Sequence, residues 1–588
     1  MAIENLITDH LDLWTAAVRP KSSVGRGSNS KLELTGIKKL RELILELAVR
    51  GKLVPQDPSD EPASVLLERI AAEKARLVKE GKIKKPKALP QVSEQDKPFE
   101  LPEGWVITRL GEIGIWATGN GFPTNEQGLE DLEILFCKVS DMNLDGNERF
   151  ILKTMNTVSE DTARRIKLNL HKAGTVIFPK IGGAIATNKR RIIVKATAID
   201  NNCLGITPYS EVVSDYLFLF LTSIDMTKYQ VGTSVPALSQ GTLELIPIGI
   251  PSIDEQHRIV AKVDELMALC DQLEQQSEAQ LAAHQMLVET LLATLTDSAD
   301  ADELAQNWAR LSTHFDTLFT TESSIDALKQ TILQLAVMGK LVPQDPSDEP
   351  ASALLERIAA KKAQLVKEKK IKKEKPLPAI SEDEKPFELP KGWEWCRLGA
   401  LMPQFQNGAS SRGDIGGIPI TVLRLADIKD WKVSLADTRE LSIDSKSIDK
   451  YLLEKGDTLI IRVNGSSDIV GRFIGCDENY DAIYCDHFIR MRFLVEVFNT
   501  RYLSLLGSSN IVRSKIADLF ISTAGQKTVN QGHISSIVLP LPSITEQNRI
   551  VAKVDELRTL CDQLKSRLQT SQQTQLALAE SLVEGALA

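Results

Sequence analysis

Apolar side chains at Ile259, Val263, Leu266, Cys270 and Leu273 advance by four and three residues alternately, and Ile550, Val554, Leu557, Cys561 and Leu564 advance the same way. Such a stripe is the seam of a coiled coil, because it keeps one narrow face of an α-helix apolar over successive turns. Either stripe alone would stay wet. The pattern therefore predicts that the two copies pack on each other, antiparallel, although a helix lying on its own globular domain would also cover its stripe. Upstream, IKKLRELILELAV after Thr35 and IDALKQTILQLAV after Thr321 or Ser323 are helical in period and begin behind residues suited to N-caps. A Pro- and Asp-rich connector turns the chain into LLERIAAEKARLVKEG. Gly81 is placed to end that helix, and KIKKPKALP beyond it reads as an exposed basic linker.

Residues 105–250 and 393–541 have a different texture. The runs TVIFPKI (175–181), RIIVKATAI (191–199), DTLIIRVNG (457–465) and IVGRFIG (469–475) are rich in Val and Ile and are punctuated by GG, NG and GSS. They predict hairpins of an antiparallel sheet. The tips carry Lys180, Thr187, Asn188, Lys189, Arg190 and Arg191 in the first insert, and Arg462, Asn464, Ser466 and Arg472 in the second, where Arg424 adds a further guanidinium. Each insert closes on a matched loop, VPALSQGTLELI or QKTVNQGHISSI. These loops add Ser239 and Gln240 to the first set and Gln526, Lys527, Asn530 and Gln531 to the second. Such side chains are the donors and acceptors that read base edges and hold phosphates, and a two-stranded ribbon fits the major groove. A plain turn would account for any one of them taken singly.

The helical segments are duplicated. GKLVPQDPSDEPAS occurs at 51–64 and again at 339–352, PFELPEGW at 98–105 is matched by PFELPKGW at 386–393, and PSIDEQHRIVAKVDELMALCDQL from Pro251 is matched by PSITEQNRIVAKVDELRTLCDQL from Pro542. The middle of the chain thus repeats its C-terminal motif followed by its N-terminal one, the order of a ring of two similar halves cut once. That order predicts pseudo-two-fold symmetry. Five segments follow: a helical arm (1–104), a first insert domain (105–250), a central helical region (251–392), a second insert domain (393–541) and a closing coiled-coil helix (542–588). The fold class is α+β. A repeated frame with two unlike inserts suggests one kind of job done on two targets.

Composition adjusts this picture little. The 588 residues are 43% hydrophobic, and the seven Cys and seven His show no metal-ligand spacing, so no metal is expected and the Cys usage fits a reducing cytoplasm. YLFLFL at 216–221 is too short to span a bilayer, and no membrane is expected. A net charge of -9 argues against nucleic acid at first sight, but both inserts are close to neutral and the acidic excess lies mainly in the helical copies.

The borders PxGWxxxRLG at 102–111 and 390–399, the PSIxEQxRIVAKVDEL pair and the insert-frame-insert layout resemble the specificity subunit of bacterial type I restriction-modification systems, in the branch with a long N-terminal helical arm. The resemblance covers essentially the whole chain. It implies two target recognition domains, each reading one half of a bipartite, asymmetric sequence in double-stranded DNA, and coiled-coil regions that fix the unread gap. It also implies docking of two modification (methyltransferase) subunits and of restriction/translocase subunits. S-adenosylmethionine, ATP and Mg would belong to those partners, with no cofactor in this chain.

The motifs of such chemistry are missing from the sequence, so no catalytic residue is expected. Pro-Pro occurs nowhere, as an adenine methyltransferase motif would require, and Glu46 and Gln334 stand where a phosphate-binding loop before the two GK pairs needs Gly. Asp141, Asn143, Asp145 and Gly146 begin like a calcium loop, but Leu152 occupies the position of its last ligand. Two other classes fit parts of the pattern. One is a coiled-coil assembly scaffold without sequence-specific DNA binding, the other a tandem enzyme; a specificity subunit of a fused restriction-methylation system is the near neighbour.

Overall fold

The computed structural model describes residue 6 and residues 8–20, 32–232, 235–299, 301–371, 376–410, 417–523 and 525–587. The chain is α+β, with two β-rich regions and two long helices, Ile253–Asp297 and Ile544–Leu587. It forms two compact units, residues 1–280 with 571–588 and residues 281–570, so both boundaries fall inside the long helices.

In the first unit the helix Thr35–Val49 buries Ile37, Leu40, Leu43, Ile44 and Leu47. Its polar edge reaches both long helices: Arg41 meets Asp271 at 2.7 Å and Glu274 at 2.6 Å, and Lys39 meets Glu580 at 3.1 Å. The seam residues Ile259, Val263, Leu266 and Cys270 are buried and Leu273 is half-buried. The second unit repeats the scheme with the helix Glu322–Val337. Ile550, Val554, Leu557 and Cys561 share one core with its Ile325, Leu328 and Ile332, Leu564 packs against that core, and Lys329 meets Asp562 at 2.7 Å. The shorter helix is a partner that the stripe alone did not identify.

Thr321 caps its helix as expected, accepting from Ser324 N at 3.1 Å. Thr35 does not. It is the first helical residue, because Ala17 O already receives the Gly36 amide at 2.8 Å and leaves less for a side-chain cap to do. Gly81, at φ +67°, closes the helix Ala63–Lys79 as expected.

The repeated motifs meet at a joint in each unit. Glu255 accepts from Trp105 Nε1 at 3.0 Å and from Gln56 Nε2 at 2.8 Å, while Glu546 accepts from Trp393 Nε1 at 2.9 Å. Next along each helix, Gln256 Oε1 accepts from Val213 N and Gln547 Oε1 from Asn499 N, both at 2.8 Å. Gly51 and Gly339 lie at φ +67° and +71°, where a Cβ would enter the Pro102–Trp105 or Pro390–Trp393 contact. One glutamate thus ties the insert border to the frame and one glutamine orients the insert, which accounts for the repetition of Glu-Gln.

Burial holds the Glu546 carboxyl above the ordinary range, against the opposing pull of Trp393 and Gln344. The folded chain therefore keeps this proton more tightly than the unfolded chain. The associated stability is complete below the ordinary carboxylate range and is lost as pH rises through the raised value. Glu546→Gln removes the buried negative charge and should stabilise the protein at pH 8, with almost no effect at pH 4, where the carboxyl is already neutral. Urea unfolding at the two pH values measures it; equal effects at both would contradict the assignment.

Each insert enters and leaves by neighbouring strands, Val106–Arg109 against Pro247–Ile250 and Glu394–Arg397 against Val538–Leu541. The sheets are mixed, not purely antiparallel as expected. RIIVKATAI divides into Arg191–Ile193 and Thr197–Ile199, which join different sheets and pair parallel with Phe150–Ile151 and Ile134–Cys137. The chain leaves one sheet for the other through the exposed residues 194–196. In the second insert Ile418–Leu423 runs parallel to Ala482–Tyr484.

Candidate nucleic-acid interface

A buried strand in each insert delivers the chain to the same kind of exit. Val176–Pro179 ends at Lys180, whose N donates to Asn202 O at 2.9 Å and whose O accepts from Leu238 N at 2.8 Å. Thr458–Ile461 ends at Arg462, whose N donates to His487 O at 2.7 Å and whose O accepts from Val529 N at 3.0 Å. The hydrogen-bond pattern makes Lys180 and Arg462 topological equivalents. Immediately afterwards Ile181 bridges to Ala237, and Val463–Asn464 pairs with Gln526–Thr528.

The matched loops stand beside these exits, held by Leu238 N and Val529 N on the Lys180 and Arg462 carbonyls, and each then caps a short helix. Ser239 Oγ accepts from Thr242 N at 3.1 Å and Asn530 Oδ1 from His533 N at 2.9 Å. Gln240 follows one cap, exposed and donating to Glu244 at 2.7 Å. Gln531 follows the other and donates to Asn407 Oδ1 at 3.1 Å.

Counter-charge sorts the basic side chains into two groups. Arg109, Arg149, Arg397, Arg492 and Arg501 are neutralised within the fold by Asp96, Asp215 with Asp264, Glu384, Asp457 and Asp555. Glu384 is accordingly drawn down to about 2 by Arg397. Arg424 belongs to this group: both Asp427 oxygens and Asp437 O accept from its guanidinium and brace its own loop. In contrast, Lys180, Lys189, Arg191, Arg462, Arg472, Arg513 and Lys527 have no carboxylate at ion-pair distance among the described residues. Their charge is available to an anion.

The other expected residues divide by exposure. Arg190 is 2% exposed, lies 5.5 Å from the Phe178 ring centre and donates to Leu221 O at 3.0 Å. Burial pushes its guanidinium down to about 10, and the side chain lies in the core of the insert instead of at an exposed hairpin tip. Thr187 and Asn188 are exposed, yet their side chains bond Ala184 O and Thr222 O; Lys189 bonds Asn143, and Arg191 donates to Met142 O at 2.7 Å. The second insert is more convergent. Asn464 Oδ1 accepts from Ser466 N at 2.9 Å, Ser466 Oγ accepts from Asp468 N at 3.3 Å, and Lys527 Nζ reaches Gly465 O at 3.2 Å, with Gln526 exposed in the adjoining strand.

Two members of this surface escaped sequence reading. Arg513 lies on a helix, Asn510–Leu519, away from any Gly-rich tip. Trp431 sits at a turn with φ +61° and remains 45% exposed; its flanks Lys429 and Lys432 were the available signal. The sole metal-ligand grouping among the described residues is Cys485, Asp486 and His487, with the thiol 3.7 Å and the carboxylate 3.4 Å from His487 Nδ1. It adjoins a cavity of about 330 Å³ lined by Val422, Leu425, Leu441, Arg424 and Arg439. Asp141 of the calcium-like fragment is buried and accepts from Lys138 N and Met155 N. No described helix is long and apolar enough to cross a membrane.

A family described as the type I restriction modification DNA specificity domain matches residues 102–283. The chain is 43% identical to the EcoAI specificity subunit and 44% identical to the EcoEI specificity subunit, both type I restriction enzyme components of Escherichia coli, with 100% of each chain covered. Among solved structures, an HsdS subunit from Thermoanaerobacter tengcongensis aligns over 83% of this chain and 98% of its own, at 17% identity and a TM-score of 0.40. A chain from a study of type I restriction-modification complex assembly aligns over 83% and 99%, at 17% identity and a TM-score of 0.45.

Proposed function

The chain belongs to the specificity subunits of type I restriction enzymes, and from that membership we propose that each insert domain reads one half of a bipartite, asymmetric DNA sequence. The observation that carries this reading is the equivalence of Lys180 and Arg462. Two different cations without counter-charge leave equivalent strands beside matched Ser-Gln and Asn-Gln loops, on frames that are otherwise copies. A repeated frame with unlike readers recognises an asymmetric site with a fixed gap.

The helical frame sets that gap and docks two modification subunits, with restriction/translocase subunits completing the assembly. S-adenosylmethionine, ATP and Mg act in those partners, and the complex works in the cytoplasm. The chain alone should transfer no methyl group, and it should bind duplex DNA weakly, since its net charge of -9 opposes a polyanion until a partner completes the channel. Methyl transfer without any added subunit would contradict this.

Binding of the assembled complex across a library of single-base variants tests the reading. Arg462→Ala should cost about 1–3 kcal/mol and relax one position of one half-site. Lys527→Ala should instead weaken every sequence alike. If neither substitution changes affinity, these are solvated side chains and the reading fails.

A further inference from the structure

Arg472 and Arg513 come from different elements and are braced on one loop. Arg472 Nε donates to Asp468 O at 2.8 Å, and Arg513 donates to Val470 O at 2.8 Å and to Ser467 O at 2.5 Å. The face of Trp431 stacks on the Arg472 guanidinium at 4.4 Å. Three carbonyls and a ring thus fix the two side chains, while no carboxylate forms an ion pair with either among the described residues. Asp468 is the acidic group whose charge reaches both.

Holding two guanidiniums close together without a counter-ion is unfavourable, and an anion between them removes the repulsion. Burial, and then Arg472 itself, push Arg513 down to about 10, as expected for a pair that lacks its anion. The anion's chemistry follows from the donors that remain. With the Arg472 Nε and one N–H of each Arg513 terminal nitrogen committed to carbonyls, the pair keeps both terminal nitrogens of Arg472 and the second N–H of each Arg513 nitrogen. Its remaining N–H groups suit a tetrahedral oxyanion, for which Arg is well matched. The Arg472–Trp431 stack further stiffens one side without occupying its terminal nitrogens.

We propose that Arg472, Arg513 and Trp431 form a clamp for a phosphodiester of duplex DNA, next to the base-reading surface around Arg462 and blind to base identity. This rests on the proposed role of the second insert as a DNA reader and deepens it. Arg472 passes from base reading to backbone positioning, and Arg513 joins the interface. A backbone clamp fixes register, without which a neighbouring reader cannot be specific.

The test uses the full chain assembled with its modification subunit and a library of duplexes, at several salt concentrations. Arg513→Ala and Arg472→Ala should each lower affinity about tenfold for all sequences, leave base preference unchanged and reduce the slope of log affinity against log salt by about one. Arg513→Lys keeps the charge and should restore most of the slope; Trp431→Ala should weaken binding with the slope retained. Relaxation at one base position on losing Arg472 overturns the clamp while leaving the DNA-reading role intact. Affinity lost to the same extent in Arg513→Ala and Arg513→Lys, with an unchanged slope, identifies a brace for residues 466–472 and also overturns it. If the unaltered complex shows no base preference at all, the underlying reading of the insert fails instead.

Discussion

Exchanging residues 105–250 for the corresponding segment of a relative with a different target should rewrite one half of the methylated sequence and leave the other half and the gap untouched. The junctions permit it because Val106–Arg109 and Pro247–Ile250 are paired strands, so a foreign insert enters and leaves at one place. What the frame asks of an insert is local: Trp105 on Glu255, and a backbone N–H for Gln256. Loss of the old half-site should reduce affinity for the parental sequence towards the non-specific level, about 4–10 kcal/mol. Sequencing methylated bases in cells carrying the hybrid and its partner subunits measures the outcome. A swap that altered both half-sites together would end the claim of independent readers.

Leu266→Asp combined with Leu557→Asp should have the largest effect on folding. Leu266 is 2% exposed and Leu557 is 8% exposed, one in each unit, so each substitution leaves an unpaired carboxylate inside a packed helical layer. About 3–4 kcal/mol is expected per site, enough to unseat the helices Thr35–Val49 and Glu322–Val337 and to abolish assembly with the modification subunit. Leu560→Asp, 46% exposed on the same helix as Leu557, should cost less than about 0.5 kcal/mol and provides the control. Urea unfolding and co-purification read both. A double variant that still assembled and methylated the same site would remove the seam from its assigned role.

The parts legible in the sequence were those fixed by local rules. The 4-3 stripe from Ile259 gave a helix, Gly81 its predecessor's end and Thr321 a cap, because each depends on residues within a turn or two. Thr35 misled because its helix start is satisfied by Ala17, eighteen positions earlier in the chain. Arg190 and Arg424 show what a list of basic residues leaves out: Phe178 and the Leu221 carbonyl hold the first in the core, and Asp427, three residues on, pairs with the second. The matched Gln-Gly loops do lie beside the strand exits at Lys180 and Arg462. The equivalence of Lys180 and Arg462 is invisible in a line of letters, since it lies in strand exits and not in residue type, and Arg513 reaches the same surface from a helix with no distinguishing pattern.

The division of the long helices also sets an order of events. Residues 571–588 belong with residues 1–280, and Lys39 and Arg50 find Glu580 and Leu587 O only there. A ribosome makes that segment after all of residues 281–570, so the unit begun first is completed last. A transcript truncated before residue 571 would supply every residue of the second unit and leave the first with an open helical layer, its apolar side exposed to proteases. The unit holding Lys180 thus has all its residues only after the unit holding Arg462 has been translated in full.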